Sequence, residues 1–375
     1  VTGPMLRLSP GQLSETLFET QPTFFYAVPR VWEKIASHVL VGVQSSSWLK
    51  SLAYRSAMRV RKAFMERRWQ GSRVPLALSV LSWVVLQLVF RHILRKVGLL
   101  RIRYALSTGA PLPPRIQALW QLWGVDLINL YGSTEAGGVI TSQRPGFPEP
   151  GDVGTPASVN AVRLGPDGGV LVSGPGVFPG YWRNEEATRE AKDGGRLSVG
   201  EVGEFDARGA LRLIDRKRDI MVTAGGKNLA PTNIENQLKS SPYISEAVVF
   251  AEGRRYPVAL IEIDPATVSE WARASGVIYT DFASLVSHPR VQALIGTEVS
   301  GANAQLAQVE QVKRFGLLPK ELDPENEDDP LTPTRKVRRR HMYEKYRELV
   351  ESLYAEETPE LVDQELARLG GKLEL

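Results

Sequence analysis

The chain has 375 residues, 43% hydrophobic and 23% charged, which suits an ordinary globular protein of two domains with sizeable cores. It contains no cysteine, which excludes disulfide scaffolds, thiolate metal sites and cysteine nucleophiles; its four histidines (His38, His92, His288, His341) are scattered without metal-ligand spacing. Forty-six Lys and Arg against forty-two Asp and Glu leave a net charge of +4, a balance that suits polyanionic ligands and is no nucleic-acid signature.

In chain order, residues 14–28 read as a helix followed by a strand, the strand being the apolar run Thr23–Val28. Pro29 sits where a helix can begin, with Val31, Ile35, Val39 and Leu40 as its apolar face. Residues 48–73 form a basic amphipathic region. Residues 74–90 are strongly apolar but interrupted by Ser79, Ser82 and Gln87, and too short for the roughly 20 apolar residues of a membrane span. They are expected to form a buried helix, with peripheral membrane contact left open by the basic residues on both flanks.

Residues 125–130 read as a short buried strand. From Leu100 to Asp215, short strands alternate with turns, and the turn sequences at 165–169 and 206–210 suggest hairpins in a β-rich subdomain. The charged run Asp215–Asp219 is a candidate domain junction. Beyond it come a glycine turn, a helix near 231–240, strands at 247–251 and 258–263, and an acidic, proline-flanked segment at 322–330 expected to be an exposed loop.

The densest chemistry lies in Leu130-Tyr131-Gly132-Ser133-Thr134-Glu135-Ala136, followed by the break Gly137-Gly138. A strand that runs into a Gly-rich turn places ligand chemistry at a sheet edge. Tyr131 can stack on a flat base, Ser133 and Thr134 can donate to phosphate or carboxylate oxygens, and Glu135 can hold magnesium. Alone, the same residues make an ordinary polar turn.

Four further segments change the balance: Ser107–Leu112, Ile214–Asp219, Thr223–Asn228 and Leu331–Lys336. In this order and spacing, together with Val28-Pro29-Arg30-Val31-Trp32-Glu33-Lys34-Ile35, they resemble the adenylate-forming acyl-CoA synthetases, and among them the long-chain fatty acid ligases. The resemblance covers about Glu15 to Tyr354. It implies an α/β fold: part of a large adenylate-forming N-terminal domain with a β-rich subdomain (residues 1–217), then a smaller, mobile α+β C-terminal domain (residues 218–375). It also implies ATP, Mg2+ and CoA as cofactor and co-substrates, a fatty acid substrate, and a cytoplasmic location with possible membrane-peripheral contact and no nucleic-acid partner.

The implied roles follow residue by residue. Gly109, Ala110 and Pro111 line the adenine pocket; Tyr131, with Gly132 and Ser133 beside it, stacks on adenine. Thr134 contacts phosphate and Glu135 holds the metal. Asp215 and Arg216 belong to the hinge motif, in which Arg216 helps hold the ribose and Arg218 falls at the pivot. Gly225 and Gly226 leave room for the pantetheine arm. Lys336 is the adenylation lysine, and Arg335, Arg338, Arg339 and Arg340 around it could meet CoA phosphates.

Two departures stand out. The family usually carries Thr-Gly-Asp where this chain reads Val199-Gly200-Glu201. Glu201 can accept the same two ribose hydrogen bonds with one more methylene to accommodate; a solvated Glu201 is the alternative. The family's Ser/Thr/Gly-rich, lysine-containing phosphate loop has no counterpart in residues 1–130, where Ser45-Ser46-Ser47 lacks the glycines and the lysine. The opening Val1-Thr2-Gly3-Pro4 shows no signal-peptide pattern. Because the chain also lacks an initiator methionine and begins in mid-pattern, it is expected to be a C-terminal fragment of weak or no activity by itself, the alternative being a natural truncated relative that no longer activates acids. The competing readings are a fatty acyl-AMP ligase that loads a carrier protein and a non-catalytic, membrane-associated binding relative.

Overall fold

A computed structural model describes residues 13–355 except 45, 158–159, 324–325, 327 and 333–336. These fall into two compact units divided between Asp219 and Ile220.

The first unit opens with α1 (Leu13–Thr20), β1 (Phe24–Ala27) and α2 (Pro29–Gln44). Pro29 occupies the first turn of α2, where its missing N–H costs nothing, and Ile35 and Val39 are buried on its apolar face. Next come α3 (Trp48–Trp69), α4 (Leu76–Val85), a π-helical turn (Leu86–Phe90) and α5 (Arg91–Lys96), the last three continuous. Then follow β2 (Tyr104–Ser107), α6 (Pro114–Leu122), β3 (Leu127–Ser133), β4 (Gly138–Ser142) and β5 (Thr155–Pro156). These strands form one sheet in the order β1-β2-β3-β4-β5, with β1, β2 and β3 parallel and β4 and β5 antiparallel. Parallel neighbours need crossovers, and α2 to α5 and then α6 supply them. Their shared core is a chain of indoles: Trp32, Trp120 and Trp123 are edge-to-face at 5.2 and 5.1 Å. Each buried N–H is satisfied, by Leu106 O, Trp32 O and Tyr54 OH respectively.

The apolar 74–90 segment does not form the buried helix expected of it. The helix it begins buries Ser82, Phe90 and Leu94, yet Leu76, Val80, Trp83 and Leu88 are exposed. Composition identified an apolar helix; it could not reveal that only one flank finds a partner.

A second sheet, β10-β9-β7-β6, holds the β-rich part of this unit, built from β6 (Ala161–Leu164), β7 (Gly169–Ser173), β9 (Arg196–Phe205) and β10 (Leu211–Arg216). The short helix α7 (Glu185–Glu190) and strand β8 (Lys192–Asp193) precede β9. Both expected hairpins are present: Gly165 and Gly169 close the β6–β7 turn, and Asp206 and Ala210 the β9–β10 turn.

The second unit begins with a small hairpin, β11 (Met221–Val222) and β12 (Asn228–Leu229), and α8 (Pro231–Leu238). Strands β13 (Ile244–Phe250), β14 (Val258–Ile263) and β15 (Arg314–Leu317) make a three-stranded sheet. The period-2 alternation of β13 and β14 splits two cores. Ala247, Val249, Ala259 and Ile261 pack under α8, α9 (Pro265–Ala274), α10 (Phe282–Ser287) and α11 (Pro289–Asn303). Val248, Phe250, Val258 and Leu260 pack under α12 (Arg339–Lys345) and α13 (Arg347–Ala355). With both faces covered, every residue of β14 is buried.

The acidic 322–330 segment is not simply an exposed loop. Asp329 is 1% exposed. It pairs with Lys345 and, at 2.9 Å, with Lys320, and accepts the Asp323 N–H at 2.8 Å.

Candidate active site

Strand β3 is longer than the sequence suggested and carries Tyr131, Gly132 and Ser133 to its end. The ladder with β4 slips between Tyr131 and Gly132. Glycine is required there, because a Cβ on Gly132 would lie 2.0 Å from Gly138 O. The turn that follows is closed by Gly137 N–H to Thr134 O, and Ser133 Oγ accepts the Ala136 N–H at 3.2 Å. Thr134 is exposed at its tip.

The loop carrying Gly109, Ala110 and Pro111 leaves the carboxyl end of β2 beside the same strand. Ser107 is in register with Asn129, and Thr108 Oγ1 donates to Leu130 O at 2.8 Å. All three loop residues are exposed, and Gly109 adopts a left-handed φ of 89°. The carboxyl ends of parallel strands, where the sheet changes direction at β4, are where α/β folds bind ligands.

Glu201 is not merely solvated. Tyr131 OH donates to Glu201 Oε2 at 2.9 Å, and Arg216 Nε lies 3.9 Å from Glu201 Oε1. Cross-strand pairing brings the last two together, since Arg216 of β10 sits opposite Glu201 of β9. Burial, followed by the negative charge of Glu201 and the hydrogen bond to it, pushes the Tyr131 phenol far above its ordinary pKa, with Arg216 opposing. Asp215, buried at the end of β10, accepts the Arg216 N–H at 2.8 Å. A cleft of about 280 Å³ on this sheet includes Glu201, Gly200 and Lys217 in its wall but neither Tyr131 nor Glu135.

Glu135 has a partner that the sequence did not reveal. Tyr181 OH donates to Glu135 Oε1 at 2.9 Å, and that bond raises the pKa of Tyr181. The Pro179–Gly180 turn before Tyr181 was the available signal, but nothing in it names a partner 46 residues upstream. Among the described residues no cluster of three His, Cys, Asp or Glu side chains forms a metal cage. Glu135 therefore fits magnesium only in the way that ion is often held, by one carboxylate together with substrate phosphate oxygens.

In the second unit Gly225 and Gly226 form the exposed β11–β12 turn, closed by Gly226 N–H to Thr223 O, with open space beside Gly226. Lys336 and Arg335 lie outside the described residues. The flanks are fixed: Leu331 bridges Val337, and Arg338 N–H donates to Pro330 O at 2.8 Å. The arginine run is not one solvated cluster. Arg339 turns inward to Glu235 and Val249 O, and Arg340 pairs with Glu344 at 3.0 Å, while Arg338 is exposed.

Residues 2–182 match the AMP-binding enzyme family, and residues 218–358 match the AMP-binding enzyme C-terminal domain. This chain belongs to the AMP-binding enzyme family. Within it, the chain is 35% identical over 339 residues to a long-chain-fatty-acid–CoA ligase of Mycobacterium tuberculosis, covering 90% of this chain and 55% of that protein. It is 31% identical to a peroxisomal long chain acyl-CoA synthetase of Arabidopsis thaliana, covering 90% of this chain and 49% of that one. The chain thus spans about half the length of the curated relatives it matches. In fold it is similar to the adenylation domain of a carboxylic acid reductase from Segniliparus rugosus, at a TM-score of 0.64 and 20% identity, covering 92% of this chain and 49% of that one. The corresponding domain from Mycobacterium chelonae gives 0.63 at 21% identity, covering 92% and 48%. The α/β architecture expected from sequence is that of adenylation-domain enzymes.

Proposed function

We propose that this chain supplies the nucleotide-binding and acyl-transfer groups of a long-chain fatty acid–CoA ligase. The observation that carries the reading is the Tyr131–Glu201–Arg216 cluster, which joins an aromatic ring, a carboxylate and a guanidinium from separate strands. The identities to fatty acid–CoA ligases and acyl-CoA synthetases support the acid and the acceptor.

In the proposed reaction a carboxylate oxygen of the fatty acid attacks the α-phosphorus of ATP. The bond to the bridging oxygen breaks and pyrophosphate leaves, giving acyl-adenylate. The CoA sulfur then attacks the acyl carbonyl carbon, a thioester forms and AMP departs. A carboxylate nucleophile approaching a polyanion needs cations and aligned donors more than a base. Tyr131 stacks on adenine beside the small residues Gly109, Ala110 and Pro111. Glu201 accepts from the ribose hydroxyls while Tyr131 and Arg216 hold its carboxylate in place. Gly132 lets the strand turn so that Ser133 and Thr134 reach the phosphates. Glu135 would hold magnesium, which when bound would offset phosphate charge. Lys336 is the cation of the adenylation step, and Gly225 and Gly226 leave backbone room for the pantetheine arm.

The test is AMP binding by calorimetry to this chain and to Glu201→Ala. Weaker binding by on the order of tenfold or more supports the assignment, that being the scale of losing charge-assisted hydrogen bonds. Undiminished affinity in Glu201→Ala overturns it.

A further inference from the structure

Helices α3 and α4–α5 form an antiparallel hairpin whose pairing is fixed at two points. Tyr54 stacks edge-on against Phe90 at 6.1 Å, and Arg61 donates to Ser82 Oγ at 2.7 Å. Buried Arg61 also donates to Leu122 O and Gln121 O, which clamps the hairpin onto the end of α6. The inner faces, with Tyr54, Ala57, Phe90 and Leu94, share the tryptophan core. The outer faces have no such cover. Along α4–α5 the exposed residues run Leu76 (80%), Val80, Trp83 (62%), Leu88 (67%), then Arg91 and Arg95. Along α3 they run Trp48 (71%), Leu49, Leu52, then Arg55, Arg59 and Lys62. Because the helices are antiparallel, the apolar end of each lies beside the basic end of the other.

Charge distinguishes this surface from the rest of the chain. Residues 48–103 hold thirteen Lys and Arg against one acidic residue, Glu66; the remaining residues hold thirty-three basic against forty-one acidic. A basic, apolar and Trp-bearing helical surface is the pattern of a helix lying in the headgroup layer of an anionic bilayer, apolar side chains inserted and basic heads at the phosphates. Nucleic acid fits poorly, since it offers nothing to Leu76, Val80 or Leu88. The 21-residue rod Leu76–Lys96 has a mean hydropathy of 1.7 in its most apolar window, enough by length and composition to cross a membrane. Crossing would strip Phe90 and Leu94 from the core they fill, whereas lying flat keeps them there.

We infer that the outer face of the α3/α4–α5 hairpin is a docking surface for an anionic lipid bilayer. The inference stands on this surface alone and is independent of the ligase reading.

The test is flotation of a protein carrying this chain in its natural context with vesicles of phosphatidylcholine alone or mixed with phosphatidylglycerol. That protein is compared with Trp83→Glu, Arg91→Glu/Arg95→Glu and, as a control at an exposed apolar residue of the other unit, Ile278→Glu; thermal melts confirm that each variant is folded. Binding is expected to require phosphatidylglycerol, to weaken with salt, to fall roughly tenfold in Trp83→Glu and in the double variant, and to be unchanged in Ile278→Glu. No binding to either vesicle, equal binding to both, or full binding by Trp83→Glu overturns the inference. So does a dimer in sedimentation that Trp83→Glu abolishes without any vesicle binding, which would assign the face to a second copy of the chain.

Discussion

The hydroxyl of Tyr131 donates to Oε2 of Glu201 at 2.9 Å, tying the strand that bears the aromatic motif to the strand that bears the carboxylate, 70 residues later. This bond gives the glutamate a defined orientation despite its extra methylene, as the proposed ribose-accepting role requires.

Tyr131→Phe should therefore keep the ring but loosen the carboxylate. Losing a hydrogen bond to a charged acceptor predicts AMP affinity lower by roughly tenfold. Calorimetry on the chain checks this; unchanged affinity would mean that Glu201 is oriented by other contacts.

The Tyr181 hydroxyl donates to Glu135, and Tyr181 is itself 41% exposed. Tyr181→Phe should raise the half-saturating magnesium concentration for ATP–pyrophosphate exchange by a few-fold, about what one exposed hydrogen bond contributes. Glu135→Gln should raise it much further. A magnesium titration of a protein carrying this chain in its natural context reads both; an unchanged requirement in Tyr181→Phe, or the same added effect of Tyr181→Phe in a Glu135→Gln background, would show that Tyr181 does not act through the carboxylate.

Two glycines of the motifs should respond differently to alanine. At Gly132 the new Cβ would meet backbone oxygen at 2.0 Å, so Gly132→Ala should destabilise the chain by about 3 kcal/mol or more. Gly226 has φ 71° and open space around it, so Gly226→Ala should cost only about 1 kcal/mol, the backbone term alone. Denaturant unfolding measures the difference.

Asp329 gives the second unit a pH dependence. Burial raises its pKa, but hydrogen bonds from Lys345, the Asp323 amide and Lys320 outweigh burial and depress it to about 2. A carboxylate depressed in the folded state adds stability above its unfolded pKa and loses it as pH falls through the folded value. The second unit should thus lose stability between about pH 4 and pH 2. Asp329→Asn should flatten that dependence, and at neutral pH should cost about 2 kcal/mol by removing the charge from its hydrogen bonds with Lys345 and Lys320. An acid titration of unfolding in both proteins is the check.

Much of this was legible in the residues themselves. Pro29, Pro231 and the turns at 165–169 and 206–210 marked elements correctly because capping and turn chemistry are local. The Tyr131–Glu135 cluster announced itself by packing an aromatic, hydroxyls and a carboxylate together. What escaped was long-range pairing. No local pattern connects Tyr181 to Glu135, Arg339 to Glu235 or Asp329 to Lys345. The exposed face of α4 escaped for the complementary reason: an apolar helix reads the same whether or not its outer flank is covered.

On the proposed mechanism, Lys336 should separate the two half-reactions. In a protein carrying this chain in its natural context, Lys336→Ala should depress adenylation by on the order of 10²-fold, the scale of losing one electrostatic stabiliser. Thioester formation from supplied acyl-adenylate should change far less. Arg338→Ala should do the reverse, raising the CoA requirement with adenylation nearly intact. Equal losses in both half-reactions for Lys336→Ala would indicate a structural role for the lysine.

The central claim is tested most directly by ATP–pyrophosphate exchange with a panel of acids from acetate to stearate, followed by thioester formation with free CoA as the sole acceptor. In a protein carrying this chain in its natural context, exchange should peak with the long-chain acids and thioester should follow. Glu201→Ala should raise the KM for ATP by about tenfold or more, with the same preference among acids. No exchange with any acid, a preference for acetate, adenylation without transfer to CoA, or an unchanged KM in Glu201→Ala would contradict the account.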